Sequence, residues 1–379
     1  MEIHPGAALA ARFSEVPDPR INRRKLHSLT DIIGLSIIAV LGNAEGFEEI
    51  EDFGRSKVEW LRTFLDLRNG IPSHDTISRV FQRIDPVAFE RCFLGWVATL
   101  QQAHGGEVIA IDGKCLRGSF DTAALQSPLH LVSAFATEHR LILGQRAVDG
   151  KSNEITAIPE LLKMLDISGA TVTIDAMGCQ KEIAAMIRAQ GADYTLGLKG
   201  NHPHLSADVE EFFKHKEYST CSTCSTTESG HGRIEERTYT VTSDLAPLCL
   251  KNEWKDLVSI GMVESTRELK GKASTERRYY LTSHPANAEL FATHVRSHWR
   301  IENSLHWVLD VTFREDESRL RAGNAAHNFA ILRRIVYNLI KTYQPPKPKS
   351  FKRKKKLAFW SQEYILKILF AENQVLQGI

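Results

Sequence analysis

Val108-Ile109-Ala110-Ile111-Asp112-Gly113-Lys114 is where the chain changes texture. Apolar residues, three of them β-branched, run straight into a carboxylate and a glycine. Such residues favour a pleated, buried backbone, so the run predicts a strand with an acid emerging at its end. Thr171-Val172-Thr173-Ile174 leads into Asp175 in the same way. Between the two, His130 to Ala136 and Leu141 to Val148 read as strands joined by the polar turn Thr137-Glu138-His139-Arg140. Asn153 can cap a helix from Glu154 to Leu165, Lys181 to Gln190 reads as another helix, and Tyr194 to Leu198 as a strand ending at Lys199-Gly200-Asn201. Strand, two hairpin strands, helix, strand, helix, strand predicts an α/β layer: a mixed sheet with an antiparallel start, flanked by helices.

Working outward, residues 1–105 read as a helical N-terminal region. Leu29 to Gly42 is apolar, with Thr30 or Asp31 available as N-cap and Gly42 as a stop. Phe47 to Leu67 has helical apolar spacing. Gly70-Ile71-Pro72-Ser73 then restarts a short helix bearing Thr76, Arg79, Gln82 and Arg83. This resembles the second half of a helix-turn-helix whose polar face could touch DNA; an ordinary capped helix with a solvated face has the same pattern. Residues 106–345 read as the core, interrupted at about 217–284 by a β-rich insertion with strands at Arg237 to Val241, Leu257 to Glu264 and Arg277 to Thr282. Asp208 to Lys216 precedes it as a short helix. Helices follow from Ala288 through Asp310 and from Ala325 to Tyr343, where Pro345-Pro346 stops the last. Residues 346–379 read as a basic C-terminal tail.

A third acid sits in His298-Trp299-Arg300-Ile301-Glu302-Asn303-Ser304-Leu305-His306-Trp307. Helical spacing puts Leu305, His306 and Leu309 on the side of Glu302, which turns the carboxylate at least partly inward, with Trp299 and Trp307 expected in the core. Each acid alone has a structural explanation: Asp112-Gly113 as a β-turn, Asp175 as a helix N-cap, Glu302 as a salt-bridge partner of Arg296 or Arg300. Together they fit a metal-dependent phosphoryl-transfer site, because two-metal chemistry needs carboxylates converging on ions ~4 Å apart. Glu315, Asp316 and Glu317 are rival acids on a run that reads as exposed.

Composition limits the other possibilities. A chain of 379 residues, 42% hydrophobic, can build a sizeable core in two or three domains. A formal charge of only +2 does not announce a nucleic-acid binder. Basic residues do gather at Arg12 to Lys25 and in Lys347 to Lys356, which fits either solvated charge or phosphate contacts. The N-terminus lacks the look of a secretory signal, and the apolar run Ile32 to Gly42 is too short to span a bilayer. Cysteines 92, 115, 179, 221, 224 and 249 are too sparse for a disulfide scaffold, which places the chain in a reducing cytoplasm. Cys221-Ser222-Thr223-Cys224 has no second pair at finger-like distance and reads as a Ser/Thr-rich loop.

At Ala110 to Lys114, Thr173 to Gln180, Leu198 to Asn201 and His298 to Trp307 the chain resembles the H-repeat-associated, ISAs-group insertion-sequence transposases of the DDE superfamily. The resemblance covers nearly the whole length from about Pro17-Asp18-Pro19-Arg20. It implies a ribonuclease-H-like core, a two-metal Mg²⁺ (or Mn²⁺) site, and cleavage and transfer of DNA strands at element ends. Asp112, Asp175 and Glu302 would be its metal ligands. It also implies double-stranded DNA as partner, a homodimer in the synaptic complex, no membrane, and association with the nucleoid when DNA is bound. Thr76, Arg79, Arg83, Lys199, His298 and Arg300 are the candidate DNA contacts. Related hairpin-forming enzymes carry a Y-x2-R-x3-E-x6-K pattern. Around Glu302 its Tyr, Arg and Lys positions are Val295, His298 and Leu309, which puts the hairpin route in question. The alternatives are a catalytically inactive, element-derived DNA-binding protein, and a structure-selective nuclease on the same core.

Overall fold

Strand β1 (Val108–Leu116) does not stop at Asp112 but continues through it for the length of its hairpin partner. Its antiparallel neighbour β2 (Leu129–Ala136) pairs Asp112 with Ser133 and Gly113 with Val132, so the Asp-Gly step lies inside a ladder and forms no β-turn. The strand that ends is β4 (Thr171–Ile174), parallel to β1 on its other side. The computed structural model describes residues 10–21, 25–100, 106–120, 127–148, 153–215, 221–230, 233–246, 248, 251–269 and 272–370.

One nine-stranded sheet runs through the molecule. The first five strands carry the expected topology. β2 turns through residues 137–140 into β3 (Leu141–Ala147), with Arg140 in the left-handed region (φ 57) at the corner. β4 and β5 (Asp193–Leu198) then run parallel to β1, each connected across a helix: α6 (Glu154–Leu162), capped by Asn153, and α7 (Lys181–Ala189). Three antiparallel strands followed by two parallel ones, with helices on the faces, is the ribonuclease-H-like mixed sheet.

The insertion does not form a layer of its own. β9 (Lys272–Thr282) pairs antiparallel with β5, and β8 (Ser259–Leu269), β7 (Arg233–Thr242) and β6 (Ser222–Gly230) extend the sheet as a meander. The Ser/Thr-rich stretch after Cys221 is β6 and not a loop: its β-branched threonines pair across to β7, whose Tyr239 and Val241 are buried. Cys221 and Cys224 are both free thiols there. The helix expected before the insertion is α8 (Pro203–His215), which starts earlier than Asp208. Its expected last residue, Lys216, and residues 217–220, at the expected start of the insertion, lie outside the described residues, as do Arg23, Arg24 and Cys249.

At the other edge of the sheet, β3 is covered by a side chain. Ile142 donates its N–H to Asn338 Oδ1 at 2.9 Å and accepts from Asn338 Nδ2 at 2.9 Å. The primary amide thus pairs with a strand as another strand would. Asn338 belongs to α11 (Ala325–Thr342), which is buried along almost its whole length against the sheet and the N-terminal helices.

Those N-terminal helices form, with adjustments. α1 (Leu29–Leu41) is capped by Ser28, whose Oγ accepts the Asp31 N–H at 3.0 Å; the expected caps Thr30 and Asp31 lie inside the helix. The carboxylate of Asp31 is free to accept Asp66 N–H at 3.2 Å instead. The helix expected over 47–67 breaks into α2 (Phe47–Ser56) and α3 (Val58–Leu61). Gly54 weakens its last turn, and Lys57 N–H closes a tighter bond onto the Gly54 carbonyl. α4 (His74–Arg83), capped by Ser73, and α5 (Pro86–Leu100) complete the region.

Two runs of charge behave differently from their sequence pattern. Residues 346–370 are not a solvated tail: α12 (Phe351–Trp360) and α13 (Gln362–Phe370) pack onto the core. Lys354 is buried and donates to the carbonyls of Ile340 and Tyr343 at the end of α11, where an ammonium satisfies both the orphan carbonyls and the helix dipole. Lys355 is buried too, donating to Thr312 O at 2.8 Å above the Phe313 ring. The acidic run 315–317 is likewise not all exposed. Glu315 is 1% exposed and faces Arg334 at 2.7 Å, with Arg333 at 3.9 Å. A buried carboxylate needs such partners to stay charged. Glu315→Gln would strand two buried guanidinium groups; a loss of about 3–5 kcal/mol in unfolding free energy is expected. Urea denaturation of the variant beside the parent checks it, and a difference below 1 kcal/mol would refute it.

Candidate active site

The register between β1 and β4 pairs Ile111 with Ile174, so Asp112 and Asp175 are the next residues on adjacent parallel strands. Asp112 remains half-buried within its ladder, whereas Asp175 leaves the sheet and is exposed. Asp175 does not cap the following helix, whose N-cap is Gln180. Its Oδ1 accepts Met177 N–H at 3.0 Å and Gly178 N–H at 3.4 Å, closing a turn directly after the strand. A second clasp comes from the next strand's exit, where Asn201 Nδ2 donates to Ala176 O at 2.7 Å and His202 Nε2 meets Cys179 O at 2.7 Å. Asn201 lies in a stretch singled out for its pattern, yet nothing in that pattern assigns it this hold on the Asp175 loop.

Glu302 arrives from across the sheet face. α9 (Ala288–Arg300) packs over β1, β6 and β7 and passes into a π-helical turn, Ile301–His306, before α10 (Trp307–Val311). The expected continuous helix is thus interrupted: Trp307 N–H reaches back to Glu302 O, five residues away. A widened turn leaves carbonyls without partners, and Tyr337 Oη donates to Ser304 O at 2.9 Å to satisfy one. Leu305, His306 and Leu309 are buried as their spacing predicts, but Glu302 is exposed, because the face it shares with them opens onto a cleft. No salt bridge to Arg296 or Arg300 holds it. Arg296 pairs with Glu228, and Arg300 Nη1 donates to Thr137 O at 3.4 Å.

That cleft, of about 210 Å³, is lined by Asp112, Asp175 and Glu302 together with Lys199, His298 and Trp299. His298 Nδ1 is 3.1 Å from Thr173 Oγ1. Trp299 is 42% exposed with the Arg278 guanidinium 4.9 Å above its ring, and Trp307 is 53% exposed; neither fills the core. Arg300 lines a neighbouring cleft of about 410 Å³ with Arg237, Arg267 and Arg296. Thr76, Arg79 and Arg83 are elsewhere, on α4. There Thr76 joins the Ser73 cap and Arg79 faces Asp75 at 3.4 Å.

Electrostatics single out Asp112. Burial first, then the charge of Glu302, with Asp175 and Glu154 adding to it, push its carboxyl up to about 7. Carboxylates arranged to repel one another in this way are ready for a cation, which would reverse the sign of the local field. One oxygen each from Asp112 and Glu302 and one nitrogen from His306 lie within 4.8 Å of one another, so the residues fit a divalent ion. His306 Nδ1 approaches Asp112 Oδ2 at 3.6 Å. Burial, then the charges of Lys114 and Arg334, lower its pKa to about 4, so at neutral pH this is not an ion pair.

Two further residues hold the arrangement and were not assigned roles by sequence pattern. Lys114, two residues beyond Asp112, is 8% exposed and donates to Asp310 at 2.6 Å and Asp316 at 2.9 Å. Burial opposes its charge, but the two carboxylates outweigh it and hold the ammonium above its ordinary value. Gly113 gives the Glu154–His130 pair its place: a Cβ there would sit 2.0 Å from Glu154 Oε1, which pairs with His130 at 2.8 Å, and the pair would have to move.

Residues 103–339 match the family model described as "Transposase DDE domain", and residues 10–97 match "DDE_Tnp_1-associated". The chain is 42% identical to "H repeat-associated putative transposase YhhI" of Escherichia coli K12, across 95% of this chain and 97% of that one. It is 43% identical to "Putative transposase YncI" of Escherichia coli O157:H7, across 94% and 93% respectively. A short relative from strain K12, "Inactive transposase YbfQ", is 47% identical over 19% of this chain and 86% of its own length. Among solved structures, a piggyBac transposase synaptic complex with hairpin DNA aligns with a TM-score of 0.47 at 11% identity, covering 97% of this chain and 81% of that one. With a family model spanning most of its length and relatives matched end to end, the chain belongs to the DDE transposase family.

Proposed function

We propose that this chain is an active DDE transposase that cuts and joins DNA strands at the ends of its insertion sequence. The observation that carries the proposal is the convergence of Asp112, Asp175 and Glu302 on one cleft from three separate elements. Asp112, Asp175 and Glu302 would hold divalent ions, Mg²⁺ or Mn²⁺. When bound, these lower the pKa of an attacking water or 3′-hydroxyl and neutralise charge on the reacting phosphate.

The chain's own groups position the DNA. Lys199, at the exit of β5, presents an ammonium to the cleft and suits a backbone phosphate close to the scissile one. The exposed Trp299 ring, backed by Arg278, offers a flat face against which a base can stack. The adjoining cleft mixes arginines with Glu228, Glu235 and Glu276; Arg300, whose guanidinium donates to the Thr137 carbonyl, is its candidate phosphate contact. α4 lies away from this cleft, and its Arg79 and Arg83 would contact DNA outside the reacting step. Joining two ends calls for two copies of the chain in the synaptic complex.

A retired element that only binds DNA is the competing function, and incubation with the terminal repeats flanking its own gene separates the two. In Mg²⁺, nicking of those duplexes but not of scrambled ones is expected. Glu302→Gln should lower the rate by roughly a thousandfold, about 4 kcal/mol of barrier, while end binding stays. Sequence-specific binding without nicking in Mg²⁺ and in Mn²⁺ would overturn the proposal, and nicking indifferent to end sequence would point to a structure-selective nuclease. Lys199→Ala should weaken binding to all duplexes and reduce the slope of log K against log salt by about 1. An unchanged slope would remove Lys199 from the phosphate contacts.

A further inference from the structure

We infer that His306 is a nitrogen ligand of the active-site cation, making the centre a mixed carboxylate–imidazole site built from Asp112, Glu302 and His306. The inference rests on the metal-dependent function proposed above and adds to it a residue and a metal preference.

Geometry is the first support. The candidate ligand atoms of the three residues lie within 4.8 Å of one another. Ligands about 2.1 Å from an octahedral cation stand about 3 Å apart when adjacent and about 4.2 Å apart when opposite, so the three side chains must draw together around the ion, but no backbone has to cross the cleft. Asp175 is not part of that tight group; it lines the same cleft, next to Asp112 on the parallel strand, where a second ion would be shared.

The state of the imidazole is the second. His306 is 8% exposed, and among the described residues neither ring nitrogen makes a hydrogen bond. Nε2 has no partner, and Nδ1 faces Asp112 Oδ2 at 3.6 Å, too long for a hydrogen bond and suited to two ligands of one ion. Buried polar side chains are normally satisfied, so a buried imidazole that faces a carboxylate without bonding it needs an account. The histidines of the preceding α9 have such partners: His298 meets Thr173 Oγ1 at 3.1 Å and His294 meets Thr195 Oγ1 at 3.2 Å.

The third is the π turn. In a regular α-helix, successive steps of four residues drift around the axis, so His306 would rotate away from the stripe holding His298 and Glu302. The wider turn over Ile301–His306 holds back that drift and returns His306 to the sheet-facing side, against Asp112. Such turns are rare and gather at functional sites. Here the turn's widening is stabilised by Tyr337 and its exit by the Lys114–Asp310 contact.

An imidazole shifts selectivity. Carboxylate and water suit Mg²⁺, whereas a nitrogen ligand raises affinity along the series toward Mn²⁺, Co²⁺ and Zn²⁺. The test uses the full-length protein, Mn²⁺ as probe and pulsed electron paramagnetic resonance, with histidine isotopically labelled at nitrogen. A histidine nitrogen coupled directly to Mn²⁺ is expected. His306→Ala and the shape-preserving His306→Asn should both abolish it and His298→Ala should keep it. In calorimetry, both His306 variants should lose at least roughly tenfold in Mn²⁺ affinity, as removal of even an outer-shell partner does. Mn²⁺ bound without histidine coupling, or a coupling that survives in either His306 variant, overturns the inference and leaves the carboxylate site standing. A protein that binds no Mn²⁺ at all overturns both.

Discussion

Lys114 ties the two halves of the active site together. Its ammonium is buried between Asp310 and Asp316, and this ion triad is a direct polar link between β1, which carries Asp112, and the segment that carries Glu302 and His306. Removing a charge from water costs several kcal/mol, and only close partners recover it. The two aspartates therefore have one low-energy place to be, and the helix between them and Glu302 is located by that demand. Deeper in the same interior, Glu315 with Arg333 and Arg334 repeats the logic one layer behind. A surface site of repelling carboxylates is thus mounted on an interior whose charges are matched.

That mounting explains why acids can be held close without collapse of the local structure. Asp112 is caught by its strand ladder, Asp175 by a turn whose loop Asn201 and His202 clamp, and Glu302 by a helix pinned at both ends. Of the Asp175 carboxylate, the turn uses Oδ1 alone. The cost of their mutual repulsion is carried by backbone pairing and packing, and an arriving cation meets ligands that need little rearrangement.

The sheet and its acids were legible because their signals are local. Apolar β-branched runs ending in Asp112 and Asp175 have few structural solutions, and hairpin, helix and strand follow from turn residues and caps within a few positions. What failed to show was long-range. Glu315 reads as one more surface acid until Arg334, nineteen residues on, is seen against it. Lys354 and Lys355 read as solvated charge because no pattern reveals that they meet the end of α11. Whether a Thr-rich stretch such as β6 is loop or strand depends on a partner strand that sequence does not name. The π turn is invisible for a related reason: residues 301–306 have good α-helical character, and the groups that favour the wider turn, Tyr337 on Ser304 and Lys114 on Asp310 beyond it, come from distant parts of the chain.

Asn338 has a consequence beyond β3. A side-chain amide that occupies both hydrogen-bonding groups of Ile142 blocks strand pairing at that point of the edge, and α11 lies along the same border beside the catalytic half. The opposite border of the sheet is β6, at the far end of the meander. Growth of the fold by strand addition, whether by evolutionary insertion or by a neighbouring chain, is thereby channelled away from the carboxylates. The architecture can be elaborated at one end while the chemistry at the other keeps its surroundings.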